Sequence, residues 1–146
     1  MIWTTWQGVK IDRLACIWLI RRFIDPDARF RFIEPYASPP VDAIPFDIPG
    51  VRFSHHGGAA SFRAIYAGHG LHDAVLERIA AIVDAADASG DQTLHPEAVG
   101  LEAVCSSLRA VLGSDEEAAE VGAALFDALY VALGGPGRPA AAPEAE

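Results

Sequence analysis

Strand-like alternation of hydrophobic and polar residues is confined to the first sixty positions of the chain. "MIWTTW" (Met1 to Trp6) alternates bulky with small polar residues as a short strand does, although Trp3 and Trp6 would serve equally as a cap on a core. "ARFRFIEP" (Ala28 to Pro35) sets Phe30, Phe32 and Glu34 against Arg29, Arg31 and Ile33, the two-residue period of a half-buried strand. Between them, "RLACIWLIRRFI" (Arg13 to Ile24) is apolar at Leu14, Trp18 and Leu19, with Ala15, Ile17 and Ile20 filling most of the remaining circumference. Only its arginine edge is polar, so the segment predicts a nearly buried helix. Asp12 falls at the N-cap position, and Pro26 ends the helix by disfavouring helical backbone at Asp25. Strand, helix and strand in this order predict a parallel crossover.

"YASPPVDAIP" is a loop by its prolines, and "IPFDIPGVRFSHHGG" gives two short extended pieces separated by the turn dipeptide Pro49-Gly50. After Ser61 the period becomes helical and stays so. A short helix ends at Gly70; a second carries Val75, Leu76, Ile79, Ile82, Val83 and Ala86 on one face. A third opens with Pro96 in its first turn and closes at Gly113. A fourth begins with Ser114 and Glu117 in capping-box spacing and runs to Gly134-Gly135. The expected fold is α/β: a small mixed sheet of three to four short strands in the N-terminal half, a helical C-terminal half, and helix dominating overall. One domain is expected over residues 1–134. The proline- and alanine-rich stretch 135–146 has no face to bury and is expected to be disordered.

With 146 residues, 51% of them hydrophobic, the chain can bury a single core and is too short for two ordinary ones. A net charge of −9 argues against direct nucleic-acid binding, which needs a Lys/Arg footprint. No stretch approaches a membrane span, and "MIWTTWQGVKIDR" is not a signal core, so the cytoplasm is the expected location. Cys16 and Cys105 lie far apart with no CxxC pair, which predicts reduced, buried thiols. The apolar "LFDALYVAL" helix suits a homodimer contact as readily as a core.

Ligands in open α/β sheets gather where strands end. The acidic and histidine residues at such positions are Asp12, Asp47, the pair His55/His56, and Asp84/Asp87 near a helix end. Carboxylates with imidazole suit one divalent transition metal such as manganese, iron or zinc. Each residue also has a plainer reading: Asp12 as an N-cap, Asp47 in an Asx turn, the histidines in a solvated turn, and Asp84 and Asp87 on an outer helix face. Asp87 near a helix C-terminus meets the unfavourable end of the dipole, which favours a compensating cation. Arg21 and Arg22 either hold an oxyanion with their forked donors or pair with Asp25 or Asp27. Cys16 sits in an apolar helix, where burial blunts a thiol as a nucleophile.

On "DRLACIWLIRRFIDPDARFRF" (Asp12 to Phe32), "IPFDIPGVRFSH" (Ile44 to His55), Ser61-Phe62, "IVDAAD" (Ile82 to Asp87), "PEAVGL" (Pro96 to Leu101) and "FDALY" (Phe126 to Tyr130), the chain resembles the C-terminal domain of the ChrB chromate-resistance family. The resemblance covers most of the chain to about residue 132. It implies association with chromate resistance, in which the full-length proteins are taken as chromate-responsive regulators or accessory factors. It carries Asp12, Cys16, Arg21, Arg22, Asp47, His55 and Asp87 as motif positions. His56 departs from the pattern, where a non-histidine, often arginine, follows the "SH". A fainter similarity, in the order of Asp, "LAC" helix, Asp and "HH", is to the DHH-type metal phosphoesterases, without their Asp before the histidine pair.

Taken together, residues and resemblance predict a metal held by His55, Asp47, Asp87 and Asp12, with Arg21 or Arg22 holding an oxyanion beside it and Cys16 as an accompanying thiol. The expected function is a small metal-binding protein that senses or handles chromate, another oxyanion or the resulting oxidative stress. A metal-dependent phosphoesterase and a structural, partner-binding domain are the competing readings.

Overall fold

The computed structural model of the chain describes residues 1–88 and 91–138. β1 (Ile2–Trp6) runs down the middle of a three-stranded sheet, between β2 (Arg29–Ile33) and β3 (Ile44–Pro45), and both neighbours are parallel to it. Five helices surround the sheet: α1 (Ile11–Leu19), α2 (Ser61–Gly68), α3 (Ala74–Asp87), α4 (Glu97–Val111) and α5 (Asp115–Ala132). The helix-dominated α/β architecture therefore stands, with α1 as the crossover between β1 and β2. The extended piece after Pro49-Gly50 adds no fourth strand. It joins the sheet region through one isolated bridge, Phe46 to Phe53.

Every residue of α1 except Arg13 is buried, which is what its all-round apolar sequence requires. The helix packs against α2, α3, α4 and α5, so the core is built around it. Fully burying each of its large apolar side chains contributes about 1.5–3 kcal/mol. Close approach of α5 depends on Gly122, where a Cβ would lie 3.0 Å from Leu14 Cδ2. Trp18 stacks on Phe126 at 5.6 Å between ring centroids, and its indole N–H donates to Asp127 Oδ1 at 2.9 Å.

Beyond Leu19 the helix widens into one π-helical turn, Ile20–Ile24, closed by Asp25 N–H donating to the Ile20 carbonyl at 2.7 Å. The Asp25 carboxylate then accepts from the Met1 amine at 2.8 Å and the Trp3 indole at 3.0 Å, which ties the crossover to the start of β1.

Side-chain caps open two of the helices, the one at Ser114 as its sequence spacing predicts. Asp73 caps α3 by accepting from Val75 and Leu76 N–H, and Ser114 caps α5 by accepting from Glu117 N–H. Gly135 N–H donates to the Tyr130 carbonyl and Pro136 accepts from Arg22 Nη2, so the bonded structure continues past residue 134. The expected disorder of the tail concerns mostly positions after 138, outside the described residues.

The loop leading into α1 is held from the far end of the chain. Asp115, 5% exposed in the first turn of α5, accepts from Gly8 N–H at 3.0 Å and Val9 N–H at 2.9 Å. Asp115→Ala leaves these donors unpaired, and the expected cost is about 2 kcal/mol of stability. Urea unfolding should show a lower midpoint with an unchanged slope.

Candidate metal centre

α2 begins without a side-chain cap of its own: Ala60 stands at its N-cap position and offers no acceptor. The buried N–H groups at its start, which lack partners within the helix, are satisfied by carboxylates from two other helices. Asp12, from the first turn of α1, accepts from Ser61 N–H at 2.8 Å and Phe62 N–H at 3.0 Å. Asp84, from α3, accepts from Ala60 N–H at 2.8 Å and from Arg63 Nε at 2.7 Å. Asp12 is thus a cap, but for α2 rather than for its own helix. The local expectation failed because α1 begins at Ile11, with Lys10 as its uncapped N-cap residue.

His55 is delivered to the same place by the "SHHGG" segment. Gly57 and Gly58 both have positive φ, 56° and 82°, and His56 and Ala59 exchange two backbone hydrogen bonds across them. Consecutive left-handed residues make a tight reversal that glycines adopt without steric cost. His56 turns outward, its Nε2 2.8 Å from the Arg52 carbonyl. His55 turns toward the carboxylates while 45% of its side chain stays exposed, with Nε2 at 2.9 Å from Asp12 Oδ2, 3.2 Å from Asp87 Oδ2 and 3.7 Å from Asp47 Oδ1. Three carboxylates from three separate segments therefore converge on one imidazole nitrogen.

Asp47 reaches the group through a left-handed backbone, φ 50°, a conformation uncommon outside glycine. Its surroundings over-determine that conformation. Its N–H donates to the Phe53 carbonyl at 2.7 Å, its carbonyl accepts from Arg13 Nη2 at 3.1 Å, and Oδ1 accepts from the Ser61 hydroxyl at 2.7 Å. Arg13 Nε also lies 2.9 Å from Asp47 Oδ2, an ion-pair contact in which the N–H is not aimed as a hydrogen bond.

Crowding of negative charge shows in the protonation equilibria. Burial, reinforced by Asp12, pushes the Asp47 carboxyl up to about 7 despite Arg13. Burial and Asp12 also raise Asp87, against the opposing pull of His55. The hydrogen bond to Asp12, with the charges of Asp12, Asp47 and Asp87, lifts His55 to about 9. The imidazolium is the compensating cation that Asp87 needs at its helix end. The ligand atoms of Asp12, His55 and Asp87 lie within 4.8 Å of one another. Donors bound at about 2.0–2.2 Å around one ion are separated by roughly 3–4 Å, so the set fits a single small divalent cation.

Cys16 lies one helical turn after Asp12 and donates its S–H to Asp12 Oδ1 at 3.6 Å. It is wholly buried, and desolvation followed by Asp12 drives its thiol well above the ordinary range. A protonated thiol in this place orients the aspartate and supplies no thiolate.

Arg21 and Arg22 stand away from the cluster, contrary to the expectation that they face an anion beside it. They lie nine and ten residues beyond Asp12, roughly 14 Å along a helix. Arg21 Nη1 pairs with Glu120 Oε1 at 2.8 Å and Arg22 with Asp127, both on α5. The guanidinium that does stand at the cluster is Arg13, which sequence reasoning passed over; it is the one residue of α1 that is not buried, and the one basic residue in that helix. Lys10 lines the recess of about 290 Å³ over Asp12, Arg13, Asp47 and Asp87. A second cleft, about 450 Å³ between Trp6, Ile48, Pro49 and His55, opens beside it, with Arg13 and Asp47 in the walls of both.

The family model described as ChrB, C-terminal domain, matches residues 3–133. The chain is similar to Protein ChrB of Cupriavidus metallidurans (strain ATCC 43123 / DSM 2839 / NBRC 102507 / CH34), at 38% identity over 135 residues, which are 92% of this chain and 41% of that protein. The chain thus spans less than half the length of this relative. No solved structure matches it.

Two shifts give the metal-free protein a defined pH dependence. His55, raised from 6.5 to about 9, stabilises the fold fully below its ordinary value and ceases to as pH rises through 9. Asp47, raised from 3.8 to about 7, holds a proton in the fold that the unfolded chain releases, so stability also falls as pH rises from 3.8 to 7. Thermal melts in EDTA should therefore show a midpoint that declines between pH 4 and 9, and the His55 ring should titrate near 9 by NMR.

Proposed function

Since the chain belongs to the ChrB C-terminal domain family, we propose that it is a chromate-resistance-associated protein whose working part is a single divalent-metal centre. His55, Asp12 and Asp87 are the proposed ligands and Asp47 the fourth. The observation that carries this reading is the convergence of three carboxylates on His55 Nε2, at 2.9, 3.2 and 3.7 Å, in a place where burial makes their charges costly. One guanidinium and one imidazolium offset that charge in the metal-free protein, and a divalent ion replaces the imidazolium's proton with a stronger positive charge. Oxygen donors with one imidazole favour manganese, iron(II) or zinc over a thiophilic ion.

The anion that such a centre handles would meet Lys10 and Arg13 rather than Arg21 and Arg22. Both cationic side chains border the recess that opens over the carboxylates. A tetrahedral oxyanion would place its oxygens on the ion and its remaining charge against them. Sensing or handling an oxyanion such as chromate, or answering the oxidative stress it causes, is the role proposed for this arrangement.

Metal analysis of untagged protein reconstituted with manganese, iron(II) or zinc is expected to find close to one equivalent. His55→Ala should lower the affinity at least about tenfold, the loss that even an outer partner of a metal ligand brings. Wild-type protein that stays folded and binds none of the three ions would overturn the reading. Because a metal displaces the His55 proton, apparent affinity should also rise by up to about tenfold per pH unit between 7 and 9, as read by titration calorimetry in matched buffers. Turnover of a generic phosphodiester that requires both His55 and added manganese would assign the centre to hydrolysis instead.

A further inference from the structure

A cleft of about 620 Å³ lies beside residues of β1 and the edge strand β3, and the metal centre does not use it. Its walls are apolar: Trp3, Ile24, Ile44 and Phe53 provide most of them. Along one side four flat groups cluster, with Trp3 touching both Phe53 and His69. The Arg52 guanidinium sits 4.8 Å from the Phe53 ring centre, Phe53 stacks on His69 at 5.3 Å and 28°, and His69 lies 6.0 Å from Trp3. Gly68 makes room for this stack, since a Cβ there would lie 2.8 Å from Phe53 Cε1.

Charge in the cleft is unbalanced. Asp25, the carboxylate in the wall, is already engaged by the Met1 amine and the Trp3 indole. Arg13, Arg21, Arg22, Arg31, Arg63, Arg78, Arg109 and Arg138 all have carboxylate partners. Lys10, Arg29 and Arg52 have none among the described residues, and of these three only Arg52 lines this cleft, in a chain with 20 acidic side chains against 11 basic ones. In so acidic a protein, a guanidinium held on an aromatic ring with its donors unspent is set for an anion from outside. The His69 Nδ1–H donates to the Ile65 carbonyl at 2.9 Å, which anchors the ring.

We infer that this cleft binds a small organic anion, an apolar body of medium length ending in a carboxylate, with the body between Trp3, Ile44 and Phe53 and the carboxylate on Arg52. Its size lies within the usual range for small-molecule pockets, roughly 300–1,000 Å³, and its apolar walls with one convergent charge match their usual make-up. A bare tetrahedral oxyanion would leave the apolar walls uncovered, so this ligand differs in kind from that proposed for the metal centre. The two sites share only the segment around Phe53 and His55, and the cleft stands or falls without the metal.

Titration calorimetry on the full chain in EDTA, with octanoate and with octan-1-ol as its uncharged counterpart, tests the assignment. Octanoate is expected to bind about tenfold more tightly than octanol, the difference a charge-assisted contact to a partly exposed guanidinium makes. Arg52→Gln should abolish that preference and leave octanol binding unchanged. In NMR spectra the Trp3 indole N–H signal should shift on octanoate binding while that of Trp18 stays in place. Absence of octanoate binding, equal binding of the two compounds, an unchanged preference in Arg52→Gln, or a shift at Trp18 in place of Trp3 would each overturn the inference.

Discussion

Asp12 enters the core on the first turn of α1 with 2% of its surface exposed, where a carboxylate is tolerated only if donors saturate its oxygens. The donors come from three directions: the first N–H groups of α2, the ring of His55, and the thiol of Cys16 on its own helix. One side chain therefore fixes the start of α2, the turn of His55 toward the carboxylates and the orientation of a buried cysteine. Its charge also reaches outward, raising the pKa values of Asp47, Asp87 and His55. The same residue serves as structural cap and as centre of the electrostatic field, so folding α2 onto α1 and assembling the carboxylate–imidazole cluster are one event.

The remaining members arrive on elements whose positions are set for other reasons. Asp87 comes at the end of α3, whose apolar face packs on α1. Asp47 comes on a left-handed residue held by Phe53, Arg13 and Ser61. His55 comes on a two-glycine reversal. None of these segments is displaced from its place by the others' negative charge, because burial of the apolar surface around α1 outweighs the repulsion among them. The repulsion survives as shifted protonation equilibria, the physical basis of the proposal that a divalent cation binds here.

In the cleft beside β1 and β3 the balance is reversed. Apolar walls dominate the cleft at the β1–β3 edge, and its single unspent charge is the guanidinium of Arg52. The protein thus presents two chemically unlike cavities separated by the segment from Arg52 to His55, in which Phe53 faces one and His55 the other.

Much of this was written in local sequence. Alternation gave away β1 and β2, the cap Ser114 marked the start of α5, and the separation of His55 from His56 followed from the family pattern before any geometry was known. These features depend on neighbours a few residues away, which is the range over which backbone preference and side-chain period act. What tertiary structure alone decided was partnership at long separation: Asp12 capping a helix 49 residues away, Arg13 on Asp47, Arg21 and Arg22 drawn to α5, and Asp115 holding the loop at Gly8. A carboxylate or a guanidinium looks the same in sequence whether it caps, pairs or binds. Only the packing of α1 among the other helices determines which donors and acceptors come within 3 Å of it.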